Sequence, residues 1–151
     1  TQGDTLFPYT TLFRSENGQY NDWSGYLYSQ TVKQEADLNG GLSADKAEGY
    51  PLFYYAMVSY ASLVPAPQNT SGWFLPSISQ LYQCLNVGDK IASVDGGKKM
   101  ISDWYASSSE AAGENPGPQD YFRYLSNMGS VFISQDGKDI SWFLARSVLA
   151  F

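Results

Sequence analysis

Residues 71–85 read SGWFLPSISQLYQCL, and this stretch carries the strongest local signal in the chain. Pro76 closes the short apolar run Trp73–Leu75. Ser77 and Gln80 have the spacing of a capping box, in which each side chain bonds the other residue's main-chain N–H at the start of a helix. Beyond it, apolar residues recur at i, i+3, i+4 and i+7, namely Ile78, Leu81, Tyr82 and Leu85. The pattern predicts a helix that buries one face.

Two further helices are predicted upstream. In YSQTVKQEADLNGG, Tyr28, Val32 and Ala36 lie four residues apart, and Asn39–Gly41 supplies a stop. In YPLFYYAMVSYA, Pro51 suits the first helical position. The apolar residues of this second stretch run almost all the way round the helix, which predicts a helix buried in the core. Two prolines, Pro65 and Pro67, end it.

The second half of the chain has the pattern of strands and turns. Val94–Lys99 and the Gly- and Pro-rich Ala111–Asp120 are predicted loops. The runs YFRYLS and VFIS flank Asn127–Ser130, which predicts a hairpin, and ISWFLARSVLAF is predicted to be the last strand. The predicted fold is therefore α+β, with two or three helices packed on a small twisted antiparallel sheet.

The composition excludes several classes of function. The chain has no His and a single Cys, Cys84, so a Ser-His pair, an internal disulfide and the usual zinc sites are absent from its chemistry. We expect Cys84 to be a structural thiol. The net charge of −6, with no basic stripe, argues against nucleic acid and anionic membranes as partners. Abundant Tyr, Ser, Asn and Gly is typical of binding surfaces, although Tyr also fills small β-rich cores.

The first fifteen residues differ from the rest of the sequence. Thr5–Ser15, TLFPYTTLFRS, has no period of two or of 3.6, and its back-translation resembles a short-read sequencing adapter read in frame. We therefore expect residues 1–15 to be an artefactual or disordered leader, and residues 16–151 to form one domain. The same observation points to a metagenomic fragment of a longer protein.

Three motifs together resemble a known family. They are NTSGWFLPSISQLYQCL (residues 69–85), WYASSSE (104–110) and the terminal ARSVLAF (145–151). The set resembles the C-type-lectin-like domains at the C-termini of surface lipoproteins and fimbrillin-type proteins of gut Bacteroidales. It is distantly similar to the formylglycine-generating-enzyme fold. Two departures are the order Trp104-Tyr105, reversed and followed by an inserted Ala106, and Ala145-Arg146-Ser147 in the last motif.

The resemblance implies scaffold residues and a ligand surface. The expected scaffold residues are Trp73, Pro76, Ser77, Gln80, Glu110 and Arg146. Because Arg146 lies among apolar neighbours in sequence, we expect it to pair with a carboxylate, with Glu110 as the candidate. The expected ligand-binding residues are Trp104, Tyr105, Glu114, Asn115, Asp120, Tyr121, Arg123 and Tyr124.

The expected function is non-enzymatic ligand binding at an extracellular or outer-membrane surface, as in an adhesin, with a protein or glycan as ligand. A diversity-generating retroelement is a further expectation, because related domains vary at Tyr-, Asn- and Asp-rich positions. Here that stretch holds Tyr105, Asn115, Asp120, Tyr121, Arg123, Tyr124 and Asn127. The alternative is a fimbrial assembly module without a free ligand.

The acidic residues of the second half could in principle form a calcium site or a catalytic carboxylate pair. No cofactor is expected, although Glu114, Asn115 and Asp120 are oxygen ligands of the kind that calcium takes. Paired carboxylates for glycoside hydrolysis would have to come from Glu110, Glu114 and Asp120. Solvated acids are the default reading in such a Gly- and Pro-rich loop. The formylglycine-generating relatives use a late pair of cysteines, which this sequence lacks.

Overall fold

The computed structural model describes residues 21–110, 121–137 and 143–151. Its helical elements precede its strands, which confirms the predicted α+β order. The elements are α1 (Gly25–Asp37), a 3₁₀ turn (Ala47–Gly49), α2 (Pro51–Tyr54), a π turn (Tyr55–Ser59), α3 (Tyr60–Leu63), α4 (Ile78–Asn86), α5 (Gly88–Ala92), β1 (Trp104–Glu110), β2 (Tyr121–Ser126) and β3 (Phe132–Gly137). The Thr5–Ser15 run lies outside the described residues. The short helix α5 exceeds the two or three helices expected.

Helix α1 forms as its sequence pattern predicts. The residues four apart, Tyr28, Val32 and Ala36, are all buried. The chain leaves the helix through Gly40 and Gly41, whose φ values of 94° and 91° lie in the left-handed region that glycine tolerates. The Gly41 N–H donates to the Ala36 carbonyl oxygen at 2.8 Å, which satisfies one of the last helical acceptors.

Helix α4 begins at the predicted capping box. The Ser77 main-chain N–H donates to Gln80 Oε1 at 2.9 Å, and the reciprocal bond is present. Ile78 and Leu81 are buried and pack with Met100, Tyr105 and Leu125. Tyr82 is the exception to the predicted face, because it is 42% exposed.

The stretch Pro51–Leu63 differs from its prediction. It starts at Pro51 and ends before Pro65 as expected, but it is not a core helix. Phe53 and Ala56 are its buried residues, whereas large apolar side chains on the other side are exposed: Tyr55, Val58, Tyr60 and Leu63. The reason is that the core packs against one side of this helix only, through Val32, Leu75 and Ala145.

The sheet has the order β1-β2-β3 and is antiparallel throughout. The β2–β3 hairpin forms where it was predicted, and its turn contains Gly129 at a φ of 76°. Cross-strand partners share a face, so Tyr105, Leu125 and Ile133 all turn towards α4. The opposite face carries a cluster of rings, which consists of Trp104, Phe122, Tyr124 and Phe132 together with Phe143.

The C-terminal segment pairs with two parts of the fold without forming the continuous strand predicted for it. Leu144 bridges to Tyr105 of β1 in a parallel sense, and Val148 bridges to Phe74 in an antiparallel sense. Ser147 Oγ donates to the Ala56 carbonyl oxygen of the π turn at 2.8 Å. This segment therefore ties the sheet, the Phe74 stretch and the π turn together.

A buried aspartate connects three distant parts of the chain. Asp22 is 6% exposed. Its carboxylate accepts from Ser109 Oγ of β1 at 2.5 Å and from the Ser24 N–H at 3.1 Å. Its main-chain carbonyl accepts from Ser77 Oγ at 2.5 Å, and its N–H donates to Ser79 Oγ at 2.9 Å. Residues 21–24, the start of α4 and strand β1 therefore meet at one side chain and its peptide groups.

Substitution Asp22→Ala is expected to lower the free energy of unfolding by about 3 kcal/mol, because a charged acceptor is lost and buried donors are left without it. Equilibrium urea unfolding of the full chain measures this. Asp45→Ala is the matched control, since Asp45 is exposed. Equal losses in the two variants would contradict the role assigned to Asp22.

Candidate functional site

Two of the residues predicted to contact a ligand belong to the core. Tyr105 is 4% exposed and Tyr124 is 7% exposed. The Tyr105 hydroxyl accepts from the Ile101 N–H at 3.1 Å, and its ring packs against α4. Tyr124 lies in the ring cluster, with its centroid 4.9 Å from that of Phe143. A ring buried to this degree has no open face on which a ligand can stack, so we reassign both residues to packing.

The other predicted ligand residues are not brought together by the described part of the structure. Trp104 is half-buried in the ring cluster, and Arg123 is half-buried on β2. For Tyr121 the structure gives only the backbone, as the first residue of β2. Three predicted residues lie outside the described residues, namely Glu114, Asn115 and Asp120.

Asn127 is also structural. Its Oδ1 accepts from the Asp103 N–H at 2.7 Å and its Nδ2 donates to the Ile101 carbonyl oxygen at 2.8 Å. The side chain therefore ties the β2–β3 turn to the segment that leads into β1. A position with two main-chain partners tolerates substitution poorly.

The predicted Arg146–Glu110 pair does not form. Within residues 21–110, 121–137 and 143–151 the ion pairs are Lys33–Asp37 and Lys99–Asp89. Arg146 instead donates from a guanidinium nitrogen to the Lys98 carbonyl oxygen at 2.7 Å. The partner of Arg146 is therefore a main-chain carbonyl and not the expected carboxylate. This hydrogen bond links the C-terminal segment to the loop after α5.

Cys84 is a half-buried thiol that packs against the α4 core cluster. Burial raises its pKa, and the positive charge of Arg146 opposes this without reversing it. A raised pKa keeps the thiol protonated at neutral pH and so makes it a poor nucleophile.

The buried site at which the Asp22 carboxylate meets tyrosine and serine hydroxyl groups is not accessible to a substrate. Burial, followed by the negative charge of Asp22, raises the pKa of Tyr28 to about 12. Asp22 has its carboxylate and both peptide groups engaged by serines and by the Ser24 N–H. A substrate has no access to groups that are buried and already paired. Among the described residues no group of three or more acidic, Cys or His side chains is placed to hold a metal ion.

An open groove of about 390 Å³ lies between the π turn and the C-terminal segment. One wall of the groove is formed by Leu52 of α2, Tyr55 of the π turn and Tyr60 of α3. The opposite wall is the run Phe143–Ser147. Tyr55 is 51% exposed and Tyr60 is 37% exposed, so both rings are available to a ligand. Within the described chain this groove is the candidate functional site.

The π turn explains why both tyrosines line the same groove. In a regular α-helix, residues five apart point in directions that differ by about 140°. Here the Tyr60 N–H bonds the Tyr55 carbonyl oxygen, so the two residues stand one turn apart on the same side. Single π turns occur frequently at functional sites, where they re-aim side chains.

The base of the groove is held by fixed contacts. The Trp73 indole N–H donates to the Val64 carbonyl oxygen at 2.6 Å, and its ring meets that of Tyr60 edge-on at 4.9 Å. On the other side, Phe143 packs against Phe122 and Tyr124 with centroids 4.9 Å away in both cases. Trp73 was expected to be a scaffold residue, and its contacts position Tyr60.

Sequence reasoning missed Tyr55, Tyr60 and Phe143 as site residues. The available signal was the apolar excess of YPLFYYAMVSYA, which carries more large side chains than one contact face can bury. We interpreted that excess as burial on all sides, whereas in the structure the surplus is exposed along the groove.

Comparison with protein-family models, with curated proteins and with solved structures gives no match for this chain. The α+β class is therefore established by the structure itself, and the resemblance to C-type-lectin-like domains stays a prediction. No helix in residues 21–110, 121–137 and 143–151 combines the length and apolar character that crossing a bilayer requires.

The raised pKa of Tyr28 predicts a loss of stability at alkaline pH. The unfolded chain releases this proton near pH 10 and the folded chain near pH 12, so folding is progressively disfavoured as the pH rises through that window. In the Tyr28→Phe variant, the free energy of unfolding should fall less steeply with pH than in the wild type, because the variant has no proton to release at this position. Urea unfolding at several values between pH 9 and 12 measures this. Tyr82→Phe, which removes an exposed hydroxyl from α4, is the control. Parallel curves for wild type and Tyr28→Phe would contradict the assignment.

Proposed function

We propose that this domain is a non-enzymatic ligand-binding module of the adhesin or receptor kind, displayed at a cell surface in a C-type-lectin-like fold. One observation carries the proposal: a π turn brings two exposed tyrosines, Tyr55 and Tyr60, to one groove on a hydrogen-bonded base. Rigid aromatic rings give contact area at a small cost in conformational entropy. The resemblance in the three sequence motifs supports the surface location.

Binding is favoured over catalysis by the chemistry of the groove. Its lining residues include no Asp, Glu, Cys or His within the described chain. Tyr28 and Asp22, the buried acid and hydroxyl pair, are closed off from it by burial. Aromatic rings and main-chain groups recognise a ligand, but they supply no general base near neutral pH.

Sequence diversification, if it occurs in this domain, is restricted by the fold. Tyr105, Tyr124 and Asn127 hold the core and the hairpin, so their replacement would cost stability. We therefore place any variable positions among the other predicted residues: Asn115, Asp120, Tyr121 and Arg123.

A second candidate function is assembly into a fimbria, and the β3 strand favours it. Within the described chain β3 pairs with β2 alone, and Phe132 at its start is 40% exposed beside Val131 at 49%. An edge strand with apolar residues is a template for strand addition between subunits. Charged and polar residues at its other end, Gln135 and Asp136, weaken this template.

Immobilised full chain should retain ligands from a glycan array or from a displayed random 12-residue peptide library, and retention should depend on the groove. The Tyr55→Ala and Tyr60→Ala variants should each lower affinity at least tenfold, because each loses an anchoring ring. Surface plasmon resonance on the retained ligands measures this.

Tyr82→Ala is the matched control, since Tyr82 is an exposed tyrosine on a different helix. Its affinity should equal that of the wild type. Equal losses in all three variants, or retention that ignores Tyr55 and Tyr60, would contradict a binding role for the groove. If nothing is retained and the chain self-associates with rising concentration until Phe132→Lys abolishes it, the assembly function is the better account.

A further inference from the structure

The run Ala145–Ser147 has main-chain groups that the rest of the described structure does not use. Leu144 before it donates to the Trp104 carbonyl oxygen at 2.9 Å and accepts from the Ala106 N–H at 3.0 Å. Val148 after it exchanges bonds with Phe74 at 2.9 Å and 3.0 Å. Between them, the N–H and C=O groups of the three residues have no hydrogen-bond partner among the described residues. The same three residues line the groove.

The directions of these groups follow from the bridges on either side. Successive residues of an extended chain turn their main-chain groups to opposite edges. The main-chain groups of Leu144 and Val148 are bonded to β1 and to Phe74. In an extended run between these two bridges, Ala145 and Ser147 would turn their main-chain groups towards the other edge. Ala145 and Ser147 are two residues apart, which is the spacing at which one strand forms hydrogen bonds with a neighbouring strand.

We infer that the groove binds an extended peptide segment of a protein ligand, which pairs through its main chain with Ala145 and Ser147 and inserts a side chain between Tyr55 and Tyr60. This inference rests on the proposed binding function and names the class of its ligand. Strand addition of this kind takes affinity from main-chain bonds and specificity from pockets for alternate side chains.

The lining chemistry selects a peptide over a glycan. The lining residues Leu52, Tyr55, Tyr60 and Phe143–Ser147 include no Asp, Glu, Asn or Gln to meet a dense set of sugar hydroxyls. The Ser147 hydroxyl already donates to the Ala56 carbonyl oxygen, and an Arg146 guanidinium nitrogen donates to the Lys98 carbonyl oxygen. The groups left for a ligand are aromatic rings, tyrosine hydroxyls, peptide groups and the remaining guanidinium N–H donors of Arg146. An extended peptide complements all four, since its main-chain carbonyl oxygens accept from N–H donors.

The charge of the chain favours one kind of peptide. A net charge of −6 repels acidic segments and attracts basic ones at low ionic strength. Arg146, the charged residue of the lining, repels a cation placed beside it. We therefore expect any Lys or Arg of the peptide to lie outside the groove, near an apolar or aromatic residue that enters the space between Tyr55 and Tyr60. A second copy of this acidic chain is disfavoured as the occupant on the same grounds.

The test uses the full chain and a displayed random 12-residue peptide library. The strongest retained peptide is synthesised in a series in which one main-chain N–H at a time is replaced by N–CH₃. Strand pairing uses the N–H groups of alternate residues, so methylation should lower affinity about tenfold at every second position within the bound stretch and change it little in between. Affinity should also fall at least tenfold in Tyr55→Ala and in Tyr60→Ala, and stay at the wild-type value in Tyr82→Ala.

The outcomes separate this inference from the function on which it rests. Peptides that depend on Tyr55 and Tyr60 but show no alternation on methylation would overturn strand pairing and leave the binding function standing. Array glycans that depend on those tyrosines, with no peptide retained, would overturn the peptide class and again leave binding standing. If neither probe depends on the tyrosines, both proposals fail together.

Discussion

The buried carboxylate of Asp22 is the constraint on which the rest of the structure depends. The Asp22 carboxylate accepts hydrogen bonds from β1 and from the entry to α1, its main-chain carbonyl accepts one from Ser77, and its N–H donates one to Ser79 of α4. The serines that meet it, Ser77, Ser79 and Ser109, are 5% exposed or less. Ser109 accepts in turn from the Ile78 N–H at 2.9 Å, which adds a second cap to α4. A small domain with three separate apolar clusters is thereby held in one register by polar contacts.

The same framework fixes the groove. Ser29 Oγ accepts from the Leu75 N–H at 3.1 Å, so α1 is bound to the stretch that holds Trp73 and Phe74. Phe74 receives the C-terminal segment through Val148, and Trp73 holds the end of α3. Both walls of the groove are therefore anchored to the stretch that precedes α4, the one that carried the strongest sequence signal. A binding surface on such a base loses little conformational entropy when a ligand arrives.

Local patterns in the sequence predicted local structure well. The capping box at Ser77, the period of four in α1 and the β2–β3 hairpin all depend on residues a few positions apart. The contacts that sequence reasoning missed are long-range. Asp22 and Ser109 are 87 positions apart, and Arg146 and Lys98 are 48 apart, so no local pattern announces them. The predicted Arg146–Glu110 pair was wrong because the charge of Arg146 indicates that it requires a polar partner, but not which polar group lies beside it in the fold.

The candidate site was harder to predict because a departure from regular helix forms it. A period of 3.6 puts Tyr55 and Tyr60 on different sides, and only the π turn aligns them. Conversely, Tyr105 and Tyr124 were expected at a ligand surface because of the family resemblance, and the structure buries both in the core.

The most direct test of the central claim is to measure nuclear Overhauser contacts from Tyr55 and Tyr60 in the full chain, with tyrosine rings selectively labelled. The π turn predicts that both rings show contacts to protons of Phe143–Ser147. If only one of the two rings contacts that segment, as a regular helix requires, the groove described here does not exist and the account of the site is wrong.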